Sequence, residues 1–224
     1  MKIGTKSVLY GAHCFLFHWF FVALGWWKIY GFRRIEIGEV RQRTTDDTGF
    51  TYVATRRVYA SLLSLPTWLA FFLHDIGYIG KPNMDGPEGE QHPYTGARIL
   101  ERLFGPPWGQ FSLYHSRFLA KQHGVRPSPL CIADKLAIAL EPWWFYLPRV
   151  NLTGEVQEYM AKSSAMNATG NKYSGMNLTV SSQRAWNADM CAYIRRWVEE
   201  HKDGREDTWT PNTKEAVTET GVWK

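Results

Sequence analysis

An imidazole and a carboxylate stand side by side at the end of an apolar run. The run Trp-Leu-Ala-Phe-Phe-Leu is followed directly by His74 and Asp75, and then by Ile-Gly-Tyr. A carboxylate at the end of such a run costs roughly several kcal/mol in desolvation unless it is paired or coordinated. Imidazole nitrogen and carboxylate oxygen are both ligands for divalent ions. The pair therefore restricts the chain to folds that place a metal ion or a strong partner inside a helical core.

Further histidines and an aspartate lie on apolar helical segments elsewhere in the chain. His18 lies in His-Trp-Phe-Phe-Val-Ala, and His92 follows Asp75 by seventeen residues, at the start of a predicted helix. His115 lies in Leu-Tyr-His-Ser-Arg, and Asp134 lies in Leu-Cys-Ile-Ala-Asp-Lys-Leu-Ala. Each is a polar residue on an otherwise apolar helical stripe.

The order His, His-Asp, His, His, Asp resembles the HD superfamily of metal-dependent phosphohydrolases, over roughly residues 10–145. In that family a helical bundle brings His, His-Asp and Asp to one metal, and members with extra histidines hold a second ion. The resemblance implies a first ligand set of His18, His74, Asp75 and Asp134, and an extra pair, His92 and His115. It also implies one or two divalent ions, and does not distinguish Mn, Fe, Mg, Ni, Co and Zn.

Two local features bear on the resemblance. Members that cleave cyclic dinucleotides usually carry Lys after His-Asp-Ile-Gly and a Gly-Tyr-Pro element further on; here Tyr78 replaces that Lys and Gly-Tyr-Pro is absent, which argues against that subclass. The first histidine is open between His13 and His18, which lie five residues apart and so point about 140° away from each other on a helix. The spacing to Val22 and Ala23 favours His18.

The expected function follows from the resemblance and from charge. A phosphate ester is an anion that repels hydroxide, and a divalent ion both binds a phosphate oxygen and lowers the pKa of water. We expect a phosphohydrolase acting on a nucleotide phosphate ester, with Asp75 as a ligand and as the acceptor of the proton of water. Arg117, Lys121 and Lys135 are the candidates for holding the phosphate. A phosphodiesterase acting on a cyclic or short oligonucleotide, and a non-catalytic member that binds a nucleotide or a protein, are the alternatives.

Composition bounds the partners and the compartment. The net charge of +5 fits a small anionic substrate, but no long basic cluster predicts binding of long nucleic acid. Three cysteines in apolar segments, Cys14, Cys131 and Cys191, predict a reducing, cytoplasmic environment. Residues 8–27 carry no charge and are long enough to span a bilayer, but two histidines and two glycines interrupt them. We expect a buried helix there and no membrane partner, and a homo-oligomer stays open.

The chain is long enough for one sizeable core. We predict an all-α, HD-domain-like helical bundle over residues 1–150 with an inserted β-hairpin at 35–59, where β-branched residues alternate on both sides of Asp-Asp-Thr-Gly. A C-terminal extension, 151–224, is expected to pack on the same core as a flexible loop, a helix and a polar tail. The hairpin is basic, and its arginines are expected either to flank the site or a partner subunit, or to lie on a solvated edge strand.

The predicted helices run over 6–31, 60–80 with a kink at Pro66, 92–104, 108–123, 128–141 and 181–202. The stretch rich in Ser, Asn and Gly that begins near residue 161 predicts a loop. The acidic loop 81–91 is expected either to cover the metal site or to be a plain surface loop. Among the remaining histidines, His123 is expected to be an ordinary polar residue and His201 to be solvated.

Overall fold

The computed structural model describes residues 1–45, 47–49, 51–168 and 177–210. Within them the chain is mainly helical, with one two-stranded antiparallel sheet, so the prediction of helices with a single hairpin is confirmed. The elements in chain order are α1 (Ile3–Tyr10), α2 (His18–Tyr30), β1 (Ile35–Thr45), β2 (Thr51–Ala60), α3 (Leu65–Leu73), α4 (Pro93–Phe104), α5 (Pro106–Leu113), α6 (Arg117–Gln122), α7 (Pro129–Leu140), α8 (Trp143–Thr153), α9 (Glu155–Ala168) and α10 (Gln183–His201).

The central core lies where α2, α3, α4, α5 and α7 meet. Its large buried side chains include Trp26, Phe71, Leu100, Phe111 and Leu130. The ring centre of Trp26 lies 5.7 Å from that of Phe71 and 5.9 Å from that of Phe111. Burial of each such side chain contributes about 2 to 3 kcal/mol to folding. Because these helices also carry or adjoin the polar residues of the predicted site, the core holds the site in place.

The hairpin pairs Ile35 with Ala60 at its base and Thr45 with Thr51 at its far end. Ile35 and Val58 pack against the central core, whereas Val53, nearer the turn, is 60% exposed. A hydrophobic face at the base thus anchors the hairpin to the bundle, and its far end extends from it.

Helices from beyond residue 150 pack on the bundle. Ile194, Trp197 and Val198 of α10 form a second core with α7, and α8, α9 and α10 form a third around Trp186. Ser182 caps α10 by accepting a hydrogen bond from the N–H of Ala185 at 3.2 Å. The three cysteines are free and buried.

The predicted helix over 6–31 is wrong, since two helices replace it and residues 11–17 separate them. The N–H of Ala12 donates at 2.9 Å to the buried carboxylate of Glu155, which is 143 residues later, so it makes no bond to a helical carbonyl. This contact accompanies the end of α1 at Tyr10, with Gly11 as the C-cap. No helix among the described residues has the length and apolar character needed to cross a membrane.

Other boundaries also differ from prediction. Pro66 does not kink a helix but lies in the first turn of α3, where its missing N–H leaves no hydrogen bond unmade. The helix predicted over 108–123 is two helices, α5 and α6, and Ser116 caps the second by accepting from the N–H of Leu119. The stretch expected to be a loop from about residue 161 continues α9 as far as Ala168, and the rest of it, 169–176, lies outside the described residues.

Candidate metal centre

Six histidine and aspartate side chains meet in the interior, each at most 6% exposed. They are His18, His74, Asp75, His92, His115 and Asp134. Five of them lie at helix ends: four follow or precede α3, α4 and α6 within two residues, and one begins α2, whereas the sixth lies within α7. A Cβ on Gly96 of α4 would collide with the carbonyl oxygen of Leu73, so this glycine lets α4 approach the end of α3 closely.

The first group surrounds one oxygen of Asp75. Asp75 Oδ2 lies 3.0 Å from His74 Nε2 and 3.3 Å from His18 Nε2. Asp134 Oδ1 lies 2.9 Å from His18 Nε2 and 3.6 Å from His74 Nε2. One ligand atom from each of the four residues therefore lies within 4.8 Å of the others, a spacing suited to one metal ion.

The second group surrounds the other oxygen of the same carboxylate. Asp75 Oδ1 lies 3.3 Å from His92 Nε2 and 3.4 Å from His115 Nε2. The two histidine nitrogens lie 2.9 Å from each other. Asp75 thus stands between two groups of nitrogen ligands, with one oxygen turned to each.

In three of the histidines, the hydrogen bond of the ring nitrogen that faces away from the centre determines which nitrogen of the neutral ring carries the proton. In His74, His92 and His115, Nδ1 lies within hydrogen-bond distance of the backbone carbonyl three residues earlier. A carbonyl oxygen only accepts, so Nδ1 carries the proton and Nε2 presents a lone pair in the neutral ring. Histidine ligands of metals are commonly oriented in this way.

The residues fit a metal because their polar atoms otherwise lack partners. His74 Nε2 and Asp75 Oδ2 are buried and lie 3.0 Å apart; in the neutral imidazole that metal ligation requires, both atoms are acceptors and neither has a hydrogen-bond partner. A divalent ion held by the two groups would satisfy these atoms. Four imidazole nitrogens with two carboxylates are a donor set that suits Mn, Fe, Co, Ni or Zn better than Ca or Mg, which prefer oxygen.

The electrostatics of the centre also call for positive charge. Burial alone raises the pKa of Asp75 and of Asp134, but neighbouring histidines and Lys135 outweigh it and hold both carboxyl pKa values well below the usual range. Burial alone lowers the pKa of His74, but the two carboxylates outweigh it and raise that pKa to about 10. In the second group, which does not include Asp134, burial lowers the pKa of His92 to about 4. Protons or metal ions must therefore balance the carboxylates.

His13 adjoins the centre without belonging to either group of ligand atoms, so the structure favours His18 as the first ligand. Its Nδ1 lies 2.9 Å from Ser7 Oγ, and its ring centre lies 5.4 Å from that of His18 and 4.8 Å from that of Tyr78. Burial lowers the pKa of His13 to about 3, so the ring is neutral. With His18, it lines a narrow cavity that reaches Asp75.

The three basic residues expected to hold phosphate have different surroundings. Lys135 lies at the centre, with Nζ 3.1 Å from Asp134 Oδ2. Arg117 Nε donates to Asp207 Oδ2 at 2.9 Å, and Lys121 Nζ donates to the carbonyl of Asp207 at 3.1 Å. Arg117 and Lys121 therefore hold the segment that follows α10, and a substrate role for each of the three stays a prediction.

Lys162, in the C-terminal extension, lies beside the acidic loop 81–91 and was missed. Lys162 Nζ on α9 lies 3.2 Å from Asp85 Oδ2 in the loop 81–91. Burial raises the pKa of Glu90, in the same loop, to about 7, with Lys162 and Lys135 acting against it. The sequence carried no signal for Lys162 because the residues from about 161 onward were expected to form a loop.

The expectation that His201 is solvated is wrong. Its side chain is 2% exposed, its Nδ1 lies 2.7 Å from the carbonyl oxygen of Trp197, and its ring stacks on that tryptophan with ring centres 4.8 Å apart. The segment after α10 folds back and buries Trp209 against the same surface, which covers His201. His123 is exposed, as expected.

This chain matches no protein-family model, no curated protein and no solved structure. What it can do chemically therefore follows from the buried histidine and aspartate cluster, which can hold a metal ion.

Proposed function

We propose that this protein is a metal-dependent phosphohydrolase, similar to the HD superfamily, that cleaves a phosphate ester of a nucleotide. The observation that carries the proposal is the arrangement around Asp75, whose two oxygens face two separate groups of ligand atoms. Hydrolytic sites of this kind keep ligands from several helices around one or two ions, and leave positions for water and substrate. The helical bundle, and the order of the ligands along the chain, which resembles that of the HD superfamily, support the same assignment.

The ligand side chains would orient the site before substrate arrives. His74, His92 and His115 are each held through Nδ1 by a backbone carbonyl, so their Nε2 atoms point inward without reorganisation. When bound, a divalent ion would polarise a phosphate oxygen and lower the pKa of water. Asp75, between the two groups, would accept the proton of the attacking water.

Lys135 is the basic residue best placed to hold a phosphate oxygen. Its Nζ lies beside Asp134, and its side chain remains 29% exposed, so part of it is reachable from solvent. Arg117 and Lys121 would have to release Asp207 to take such a role. We therefore assign the phosphate contact to Lys135 first.

A phosphodiesterase is the second candidate, and one observation favours it. Two ligand groups that share a carboxylate suit a pair of ions, and paired ions stabilise both the attacking and the leaving oxygen of an in-line displacement. A cyclic nucleotide or a short oligonucleotide would be its substrate.

The test is a substrate screen on protein reconstituted separately with Mn²⁺, Fe²⁺, Co²⁺, Ni²⁺, Zn²⁺ and Mg²⁺. Nucleoside mono- and triphosphates, cyclic nucleotides and short oligonucleotides are scored for released phosphate and for linear product. We expect turnover that Asp75→Ala abolishes and that His123→Ala, a change at an exposed histidine, retains. Release of phosphate supports the monoesterase, and linear product supports the diesterase. If a nucleotide binds but none of these metals supports turnover, the phosphohydrolase proposal is wrong and the protein is a non-catalytic nucleotide-binding member.

A further inference from the structure

A groove of about 520 Å³ opens between the base of the hairpin and the first turn of α3. It shares no residue with the metal centre. Its lining is basic and aromatic, and includes Arg34, Arg56, Arg57, Tyr59, Pro66 and Trp108. All three arginines are exposed, so the charged groups stand at the groove surface where a ligand reaches them.

The positive charge of the groove is only partly balanced. Arg57 Nη1 lies 3.5 Å from Glu36 Oε2, and the guanidinium carbon of Arg34 lies 4.6 Å from the ring centre of Tyr59. In the part of the chain that the structure describes, no carboxylate lies within ion-pair distance of Arg34 or Arg56. Three arginines line one groove, and one carboxylate lies within ion-pair distance of them among the described residues, which favours binding of an anion.

The size and shape of the basic surface favour a small polyanion. The planar guanidinium group binds phosphate through two parallel hydrogen bonds, and three such groups offer more donors than one phosphate accepts. The volume lies within the range of roughly 300–1,000 Å³ usual for small-ligand sites. Further along the hairpin Arg41 is paired with Glu39 at 3.1 Å, whereas Arg34 and Arg56 at the groove have no carboxylate partner among the described residues. We propose that this groove binds the di- or triphosphate group of a nucleotide.

The groove and the metal centre lie at opposite ends of α3. Pro66 lines the groove in the first turn of this helix, and His74 follows its last residue. A helix rises 1.5 Å per residue, which separates the two positions by roughly 12 Å. The groove is thus a site of its own, and the proposal does not rest on the function proposed for the metal centre.

The experiment is calorimetric titration of the metal-free full-length protein with ATP and with inorganic tripolyphosphate, without magnesium. We expect one ATP to bind per chain, and Arg34→Ala and Arg56→Ala each to raise its Kd about tenfold or more, as for loss of a hydrogen bond to a charged group. Arg43→Ala removes the same charge from the same hairpin outside the groove, and should change Kd less than about twofold. Asp75→Ala should bind ATP as the wild type does. Thermal unfolding verifies each fold, and Arg56→Gln, which keeps much of the side-chain length, gives a second groove variant.

Several results would overturn the proposal. Absence of ATP binding at millimolar concentration would do so, as would equal weakening by Arg43→Ala, which would indicate diffuse charge. Loss of binding in Asp75→Ala would place the nucleotide at the metal centre. Tripolyphosphate binding tenfold tighter than ATP would exclude a nucleotide ligand, and an oligothymidylate binding tenfold tighter than ATP would indicate a surface for single-stranded nucleic acid.

Discussion

Nε2 of His92 and Nε2 of His115 lie 2.9 Å apart, and each ring is committed through Nδ1 to a backbone carbonyl. Two neutral imidazoles in this arrangement direct lone pairs at each other, which is unfavourable without a cation between or beside them. Asp75 Oδ1, 3.3 Å from one and 3.4 Å from the other, adds a third ligand atom. These three atoms have the character of a second ion site.

Replacing either of these histidines should remove one ion and leave the other. We expect His92→Ala and His115→Ala to lower bound metal from two ions per chain to one, because the group formed with His18 and Asp134 is untouched. Turnover should fall at least about tenfold, the lower end for loss of groups that orient a metal site. Elemental analysis and rate measurements on one preparation test this, with His123→Ala as the control. Unchanged metal content with a lowered melting temperature would show that the pair is structural.

Removing the shared carboxylate should have a larger effect. Asp75→Ala takes one ligand atom from each group, and His74→Ala takes a nitrogen from the first group only. We expect Asp75→Ala to lose both ions and all measurable turnover, and His74→Ala to lose the first ion and most activity. Both variants should still unfold cooperatively, since the central core does not include these side chains. Full metal retention by Asp75→Ala would refute the shared-ligand geometry.

Metal affinity should rise with pH. In the metal-free protein the carboxylates raise the pKa of His74 to about 10. At neutral pH its ring therefore carries a second proton, on Nε2, and is a cation. A divalent ion must displace that proton, and affinity should increase by up to about tenfold per pH unit between pH 6 and pH 8 for each proton released. Calorimetry in two buffers of different ionisation enthalpy counts the protons. A pH-independent affinity with no proton release would contradict this charge assignment.

The ion pair between Arg117 and Asp207 should be important for stability. Asp207 also accepts hydrogen bonds from Trp197 Nε1 at 3.1 Å and from the N–H of Trp209 at 3.0 Å. Both charged side chains are largely buried, so Asp207→Asn leaves Arg117 without its partner, and we expect a loss of about 3 kcal/mol at pH 7. Glu199→Gln, at a 74% exposed partner of Lys202, should cost less than about 0.5 kcal/mol.

The same pair predicts a pH dependence. Burial alone raises the pKa of Asp207, but Arg117 outweighs it and holds the pKa below the ordinary 3.8. A carboxyl whose pKa is lowered on folding contributes stability that is fully present above the unfolded pKa and is lost as pH falls through the folded value. The stability difference between wild type and Asp207→Asn should therefore shrink below about pH 4. Urea unfolding at pH 7 and pH 3 measures it, and a constant difference would argue against the ion pair.

Gly77 should be intolerant of any side chain. A Cβ at this position would collide with the carbonyl oxygen of His92, so the turn after Asp75 and the start of α4 would have to separate. We expect Gly77→Ala to weaken metal binding at least about tenfold through displaced ligands. Ile79→Ala, at a side chain that is 56% exposed, should bind metal normally. Wild-type affinity in Gly77→Ala would mean that the turn adapts.

The six clustered residues were identified from the sequence because their order resembles that of the HD superfamily, and because each is a polar residue on an apolar helical stripe. The end of α1 was not predictable in the same way, because it depends on the contact between Ala12 and Glu155, and no helix was predicted around Glu155. Arg117 was expected to hold a phosphate because the sequence shows its positive charge. Its partner in the structure, Asp207, lies 90 residues later, so local sequence gave no sign of this ion pair. Local patterns therefore predicted helices and ligand types, whereas contacts between distant segments determined breaks and ion pairs.

Asp75 couples the filling of the two proposed ion sites. An ion on Oδ2 would reduce the negative charge available at Oδ1 and fix the orientation of the carboxylate, so each ion alters the free energy of binding the other, by an equal amount in both directions. The Oδ2 side has the additional carboxylate of Asp134 and should fill first. A protein purified from a metal-poor medium would then hold one ion per chain instead of two. Its measured turnover rate would depend on the metal supply as well as on the amino-acid sequence.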